Sequence, residues 1–290
     1  MSDSLQLDPR RHAYRGDLAA AALKGRVEAS RFVEGVEAQV CVFAAPVRRR
    51  PEALAPLDTE ALFGENLTVY DNQDGWAWVQ LKRDGYVGYV PSDQLRPSVY
   101  SPTHYVCMPL TVVYAESNAL AEPNARLSFN AEIAVNETDA AFAKLETGGF
   151  ISRSHLREVG STEPDYVANA LKFVGLPYVY GGKSALGLDC SSLVQMVLHA
   201  AGFDVPRDSD MQLVEVEPHV EIGADLAGLQ RGDIAFWPGH TGIMLDATMM
   251  VHANAMHKCV AIEPVCDVAE RARGDGPVVA GVSRPGLATR

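Results

Sequence analysis

A cysteine at the start of an apolar helical pattern, followed later by two histidines, is the feature of this sequence that could do covalent chemistry. Apolar residues recur at helical spacing after Cys190, so the pattern predicts a helix that begins there and is closed by Gly202. Unpaired N–H groups in a first helical turn favour an anion, so we expect a lowered pKa for the thiol and a cradle for an oxyanion. The alternative is a small buried hydrophobe, the commonest role of a free cysteine. The polar neighbours Asp189, Ser191 and Ser192 favour the nucleophile.

The two histidines lie in short apolar runs that are separated by a polar break near Asp246. The pattern predicts a hairpin that sets His240 almost directly opposite His252, where directly paired residues have Cβ atoms about 5 Å apart. One imidazole could then orient the other toward Cys190, as in a catalytic triad. Each histidine could instead be structural, and a Cys/His zinc site is a further alternative. The metal site is disfavoured because no second ligand stands at C-x-x-C or H-x-x-x-H spacing from Cys190.

Short motifs in a fixed order surround these residues. They are residues 177–182 (PYVYGG), 189–194 (DCSSLV), 206–209 (PRDS) with Gln212, 232–237 (GDIAFW), 240–243 (HTGI) and 252–253 (HA). On these motifs, residues from about 164 to 284 resemble the NlpC-type branch of papain-like cysteine peptidases, which cut bacterial cell-wall peptides. Two positions depart from the family pattern. Ser192 stands where the family has a glycine, and Tyr180 stands where the family has a tryptophan before the Gly-Gly pair.

The resemblance implies a role for each matching residue. It makes Cys190 the nucleophile, His240 the base, His252 the third polar residue of the triad, and Tyr178 an oxyanion-binding residue. Tyr178 could instead be a core aromatic beside Pro177. The residues that the resemblance assigns to the substrate pocket are Tyr180, Asp189, Ser191, Asp208 and Ser209. An alternative for Asp208 and Ser209 is a helix-capping pair.

The 290 residues are enough for two or three domains, and short strands separated by turns follow a first segment that reads as an amphipathic helix over 17–32. Residues 149–156 echo 88–95, and a linker at 97–102 divides the two copies. Both copies resemble bacterial SH3-like domains. The predicted fold class is α+β, with a papain-like peptidase domain preceded by two small SH3-like β-barrels and a short N-terminal helical segment. The predicted domains are 1–35 (helical segment), 36–97 and 101–159 (SH3-like) and 160–290 (peptidase).

This domain order is similar to that of dipeptidyl-peptidases that trim murein peptides. The resemblance implies hydrolysis of the γ-D-glutamyl–diamino acid bond in peptides with a free N-terminal L-Ala, releasing L-Ala-γ-D-Glu during cell-wall recycling. It further implies that Glu65 and Tyr86 of the first SH3-like domain bind the ammonium group. Glu65 could instead be an exposed turn residue, and Tyr86 a packed barrel aromatic. The rival functions are another amidase or acyltransferase on the same scaffold, or a non-catalytic peptide-binding protein.

Composition limits the partners. A net charge of −12 argues against nucleic-acid binding, and no stretch has the apolar length of a membrane helix. Five cysteines without a framework spacing favour reduced thiols in the cytoplasm. The implied chemistry uses no metal and no cofactor, and the expected partner is a small murein peptide. The diamino acid and the oligomeric state stay open.

Overall fold

The computed structural model describes residues 7–97, 99–272 and 278–286. They form two compact units. The first contains 7–105, 112–127 and 131–154, and the second contains 106–111, 128–130 and the described residues from 155 onward. The second predicted barrel, 101–159, is therefore shared between the two units. The predicted domain ends at residues 1 and 290, and Ser98 of the predicted linker, lie outside the described residues.

The N-terminal segment forms short strands, so the predicted helix over 17–32 is wrong. The strands are β1 (Tyr14–Arg15), β2 (Leu18–Ala20) and β3 (Phe32–Val33), with a 3-10 turn at Ala21–Leu23. Gly16 and Gly25 bracket the alanine-rich run, which is shorter than the roughly 12–15 residues that an isolated helix needs. Pairing of β2 with β1 and β3 satisfies the backbone instead, and Leu18 becomes fully buried.

A seven-stranded antiparallel sheet dominates the first unit, with the order β10-β4-β7-β8-β9-β5-β6. Its strands all lie within the predicted range 36–97. They are β4 (Val36–Val40), β5 (Ala44–Arg48), β6 (Leu57–Leu62), β7 (Asn66–Gln73), β8 (Trp76–Leu81), β9 (Val87–Pro91) and β10 (Leu95–Arg96), with a 3-10 turn at Ser92–Gln94. Alternate residues such as Ala77 and Val79 of β8 are fully buried, which gives a barrel-like core.

The strands that follow form a five-stranded sheet, in the order β13-β12-β17-β16-β15, and a short pair of β11 with β14. They are β11 (His104–Val106), β12 (Leu110–Tyr114), β13 (Pro123–Ser128), β14 (Glu132–Ile133), β15 (Val135–Thr138), β16 (Phe142–Leu145) and β17 (Phe150–Ser152). A 3-10 turn at Arg153–His155 precedes β18 (Leu156–Glu158).

The second unit packs helices on a five-stranded antiparallel sheet with the order β24-β23-β22-β21-β25. The helices are α1 (Tyr166–Leu171), α2 (Cys190–Ala200), α3 (Ser209–Glu215) and α4 (Val265–Ala272). The sheet strands are β21 (Ile234–Trp237), β22 (His240–Met244), β23 (Met249–Asn254), β24 (Cys259–Pro264) and β25 (Gly281–Ser283). Strands β19 (Lys183–Ser184) and β20 (Gly187–Leu188) form a separate pair. Within the described residues, no helix has the length and apolarity needed to cross a bilayer.

Strand alternation divides the core of this unit between the two faces of its sheet. Ile234 and Phe236 of β21 pack with α2, whereas Ala235 and Trp237 pack on the other face, where α4 contributes Val268. Helix α2 begins at Cys190 and is followed by Gly202 at φ 93°, as the sequence predicted. The helix that carries the thiol is therefore held by a buried sheet.

Candidate active site

The start of α2 is fixed by a capping box. Ser192 N–H donates to the Asp189 carboxylate at 2.8 Å, and Asp189 N–H donates to Ser192 Oγ at 3.0 Å. Ser192, which departs from the family pattern, thus has a structural role in holding the first turn. Cys190 is the first residue inside this box, so its backbone position is strictly defined.

A buried arginine forms an ion pair with the same carboxylate. Arg207 is 1% exposed, and its guanidinium donates to the two oxygens of Asp189 at 2.7 and 3.0 Å. Gly181 N–H donates to the same group at 2.9 Å. Because Asp189 is buried among these donors, it anchors the turn that carries the nucleophile. Its predicted place in the substrate pocket stays a prediction. No role was predicted for Arg207 from the sequence, although it lies in the 206–209 motif.

The environment of the Cys190 thiol contradicts the predicted low pKa. Cys190 is 8% exposed, and burial, followed by the charge of Asp189, raises the pKa of the thiol to about 12. The N–H groups of Thr241 and Ser191 act in the predicted direction but do not overcome burial. The contact from Thr241 is informative, because Thr241 directly follows His240. The thiol therefore lies against the strand that carries the base.

The two histidines meet through the predicted hairpin, but as diagonal neighbours that are offset by two residues from direct pairing. The ladder pairs Ile243 with Val251, which sets Gly242 across from His252 and His240 two residues further along. The rings still meet diagonally, with His240 Nε2 2.7 Å from His252 Nδ1. A Cβ on Gly242 would lie 2.8 Å from the Cβ of His252, so a glycine is needed for this approach.

Burial keeps both imidazoles neutral. It lowers the pKa of His240 to about 4, with the charge of His252 acting in the same direction, and it also lowers the pKa of His252. Trp237 covers His240 with their ring centroids 6.0 Å apart. The resting site accordingly contains a thiol and an imidazole, and His240 can act as a general base when the thiol attacks.

A carboxylate that the sequence analysis missed lies beyond His252. Glu263 of β24 is 8% exposed, and its Oε1 is 2.7 Å from His252 Nε2. Arg271 of α4 donates to the same oxygen at 2.6 Å, and His257 Nε2 lies 3.3 Å away. The available signal was a lone glutamate in an otherwise apolar run, but its pairing with the histidine strand is not local.

Tyr178 lies within electrostatic reach of the nucleophile. Burial, followed by the charge on Cys190, raises the pKa of its phenol to about 12. The phenol therefore keeps its proton at neutral pH and can donate to an oxyanion. The structure brings together the four residues predicted to be catalytic, on α2, β22, β23 and the segment before β19.

The remaining pocket residues of the second unit differ in their exposure. Tyr180 is 69% exposed, whereas Ser191 is 6% exposed and accepts from Arg207 at 2.8 Å. Asp208 is the N-cap residue of α3, but its side chain makes no capping hydrogen bond, and Ser209 is half-buried. Their role in binding substrate stays a prediction.

The two residues predicted to bind an ammonium group belong to the first unit. Glu65 is 1% exposed, which contradicts the alternative of an exposed turn residue, and its Oε1 lies 4.0 Å from Arg83 Nε. Tyr86 is 4% exposed in the barrel core, as the alternative of a packed aromatic expected, and it also lines a cavity of about 770 Å³ beside Trp78. Their binding role stays a prediction.

Comparison with known proteins agrees with this geometry. Residues 175–270 match the NlpC/P60 family, and residues 47–95 match the bacterial dipeptidyl-peptidase Sh3 domain. The chain carries an NlpC/P60 domain. It is similar to gamma-D-glutamyl-L-lysine dipeptidyl-peptidases of Bacillus cereus (strain ATCC 10987 / NRS 248) and Bacillus subtilis (strain 168). The identities are 23% and 26%, over 72% and 71% of this chain and 71% and 75% of those relatives.

A solved structure supports the same fold. The NlpC/P60 family protein from Bacillus cereus ATCC 10987 superposes with a TM-score of 0.70 at 21% identity, covering 86% of this chain and 99% of that one. The NlpC/P60 match, the dipeptidyl-peptidase relatives and the Cys190–His240–His252 arrangement together identify the protein as a cysteine peptidase. Its mixed α/β architecture, with an SH3 domain before the NlpC/P60 domain, confirms the coarse fold prediction.

Proposed function

We propose that this peptidase hydrolyses the γ-D-glutamyl–diamino acid bond of small murein peptides with a free N-terminal L-Ala, releasing L-Ala-γ-D-Glu. The observation that carries the proposal is the 2.7 Å contact between His240 and His252 beside a thiol at the start of a helix. This arrangement provides a nucleophile, a base and an orienting group for amide hydrolysis. The names of the two dipeptidyl-peptidase relatives support the substrate class.

In the proposed reaction, His240 takes the proton of the Cys190 thiol as sulfur attacks the γ-carbonyl carbon of D-Glu. The oxyanion accepts hydrogen bonds from the Cys190 N–H and the Tyr178 O–H. His240 then gives its proton to the nitrogen of the diamino acid, the C–N bond breaks, and a thioester remains. Water, deprotonated by His240, attacks the thioester, and the thiolate leaves and regains the proton.

The dipeptide specificity is proposed to depend on capture of the substrate ammonium group. A carboxylate and an aromatic wall are the groups that recognise an ammonium, which supports Glu65 and Tyr86 for this role. Arg83 Nε lies 4.0 Å from Glu65 Oε1, so the substrate ammonium would share this carboxylate with Arg83. In the second unit, exposed Tyr180 is proposed to contact the peptide.

A substrate panel tests the proposal. The peptides are L-Ala-γ-D-Glu-diaminopimelate, the corresponding lysine peptide, and both with an acetylated N-terminus, and the products are identified by mass spectrometry. We expect release of L-Ala-γ-D-Glu from free peptides only, and no release by Cys190→Ala. Cleavage of blocked peptides would favour a broader amidase or acyltransferase. Binding without cleavage by the unmodified protein would favour a non-catalytic peptide-binding protein.

We further propose that the protein acts in the cytoplasm on recycled peptides, and that residues 101–159 derive from a second SH3-like domain. The five cysteines without a framework spacing support a reducing compartment. Cell fractionation with an antibody against the protein tests the location. Recovery of the protein outside the cytoplasm would contradict it.

A further inference from the structure

The carboxylate of Glu263 ends a chain of short contacts that begins at the base of the active site. His240 Nε2 lies 2.7 Å from His252 Nδ1, and His252 Nε2 lies 2.7 Å from Glu263 Oε1. We propose that Glu263 is a positioning residue, which fixes the tautomer of His252 and thereby aims the free lone pair of His240 at the nucleophile. The proposal rests on the proposed function only in taking His240 as the base.

The tautomer follows from what each atom can donate. A carboxylate only accepts, so the proton of His252 belongs on Nε2, and its Nδ1 accepts from His240 Nε2–H. The other ring nitrogen of His240, Nδ1, is then unprotonated and can receive the thiol proton. When His240 becomes an imidazolium, its Nε2–H still meets an acceptor. The opposite tautomer of His252 would set N–H against N–H in that state.

Asn254 competes with Glu263 for the same nitrogen of His252. Its Nδ2 lies 2.7 Å from His252 Nε2, and its Oδ1 accepts from His257 N–H at 2.7 Å, which fixes Nδ2 as the donor end. A donor at this position favours the opposite tautomer. The hydrogen bond to an ionised carboxylate is about twice as strong as one with a neutral amide, so Glu263 decides the tautomer.

Hydrogen bonds and the charge of Arg271 keep this carboxylate ionised. Burial opposes ionisation of Glu263, but hydrogen bonds from Arg271 and His257, with the nearby His252, lower its pKa to about 2. The charge of Glu263 raises the pKa of His240, and the charge of Arg271 lowers it. Removing the charge of Glu263 and removing the charge of Arg271 should therefore shift the pKa of His240 in opposite directions.

The first test reads the tautomer directly, by NMR of the ¹⁵N-labelled imidazole of His252. We expect the proton on Nε2 in the unmodified protein. In Glu263→Met the remaining partner of Nε2 is the Asn254 amide, so we expect the proton on Nδ1. Glu263→Gln keeps an acceptor oxygen without the charge, so we expect a larger share of the proton on Nε2 than in Glu263→Met. An Nδ1 proton in the unmodified protein, or an unchanged tautomer in folded Glu263→Met, overturns the proposal.

The second test follows cleavage of L-Ala-γ-D-Glu-diaminopimelate. Wrong-tautomer variants lose about 10²-fold or more in kcat. We therefore expect this loss in Glu263→Met with little change in KM, and a clearly smaller loss in Glu263→Gln. Glu270→Met, a carboxylate substitution at an exposed position of α4, is the matched control and should keep full activity. Equal losses in the Met and Gln variants would contradict a role through the tautomer.

The pH profile separates electrostatics from misfolding. Protonation of His240 sets the acidic limb of the kcat/KM profile. Loss of the Glu263 charge in Glu263→Gln should move this limb to lower pH, and Arg271→Gln should move it to higher pH. Shifts of the same sign would count against the proposal. If the protein cleaves no murein peptide, the proposed function fails, but the NMR test still decides the role of Glu263.

Discussion

Two helices in the second unit begin at an aspartate N-cap paired with an arginine, one pair buried and one exposed. Asp189 caps α2 and pairs with Arg207, and these side chains are 9% and 1% exposed. Asp165 caps α1 and pairs with Arg231, and these side chains are 53% and 41% exposed. Both pairs have an N–O distance of 2.7 Å. Replacing each arginine by methionine therefore compares the same chemistry in two environments.

The expected magnitudes differ because of burial. Removing one partner of a buried ion pair costs about 3–5 kcal/mol, since it leaves an uncompensated charge in the interior. Asp189 retains N–H donors from Gly181 and Ser192, so we expect the lower value, about 3 kcal/mol, for Arg207→Met. An exposed pair contributes about 0.5 kcal/mol, which is the expectation for Arg231→Met. The difference, about 2.5 kcal/mol, is roughly a sixty-fold change in an unfolding equilibrium.

Hydrogen–deuterium exchange of the α2 amides, read by mass spectrometry, measures this difference inside the second unit. We expect the protection of Cys190–Ala200 to fall strongly in Arg207→Met and to change little in Arg231→Met. Activity should fall with the first substitution because the turn beneath the thiol loses its support. Equal changes in protection for the two variants would refute the argument that burial decides the energy of the pair.

Three further predictions concern the reaction site. The pKa of His240 is about 4, so the base is neutral above that pH, and kcat/KM should fall as the pH decreases through about 4. A fall of kcat/KM centred near pH 6.5 would contradict this. Burial keeps Cys190 protonated, so at neutral pH iodoacetamide should alkylate it more slowly than exposed Cys266, as measured on the separate peptides; faster alkylation of Cys190 would contradict the raised pKa. In Gly242→Ala, the new Cβ would lie 2.8 Å from the Cβ of His252, which cannot move without shifting the backbone. We therefore expect a loss of about 1–3 kcal/mol in the free energy of unfolding, measured by urea titration, and unchanged stability would be inconsistent with the close approach.

Local patterns in the sequence were sufficient to predict the elements that carry the site. The helix begins at Cys190 and is followed by Gly202 because apolar spacing and a left-handed glycine are local signals. The hairpin turns where Asp246 accepts from Thr248 and Met249, as its polar break indicated. The prediction of these elements required no knowledge of the sheet order.

Non-local pairing and burial account for the predictions that were wrong. The run after Asp17 has good helix formers, yet β2 pairs with strands on either side, which propensity does not encode. The register of the hairpin differs by two residues from direct pairing of His240 with His252, and the polar break near Asp246 does not specify this offset. The thiol pKa depends on how deeply Cys190 is covered, which its helix position alone does not reveal.

The low pKa of Glu263 also determines where the thiol proton stops. If Glu263 accepted that proton, His240 would have to transfer a proton to His252, and His252 a proton to Glu263. His240 would then be neutral, and the leaving amine would have no acid beside it. With a pKa of about 2, held by Arg271, the carboxylate stays ionised, and burial keeps His252 neutral. The proton must therefore remain on His240, the nitrogen base nearest the reacting bond. A carboxylate that stays ionised, such as Glu263, orients the two imidazoles without taking the proton from His240. It therefore serves catalysis better than a carboxylate that could be protonated, because His240 must keep that proton to donate it to the leaving amine.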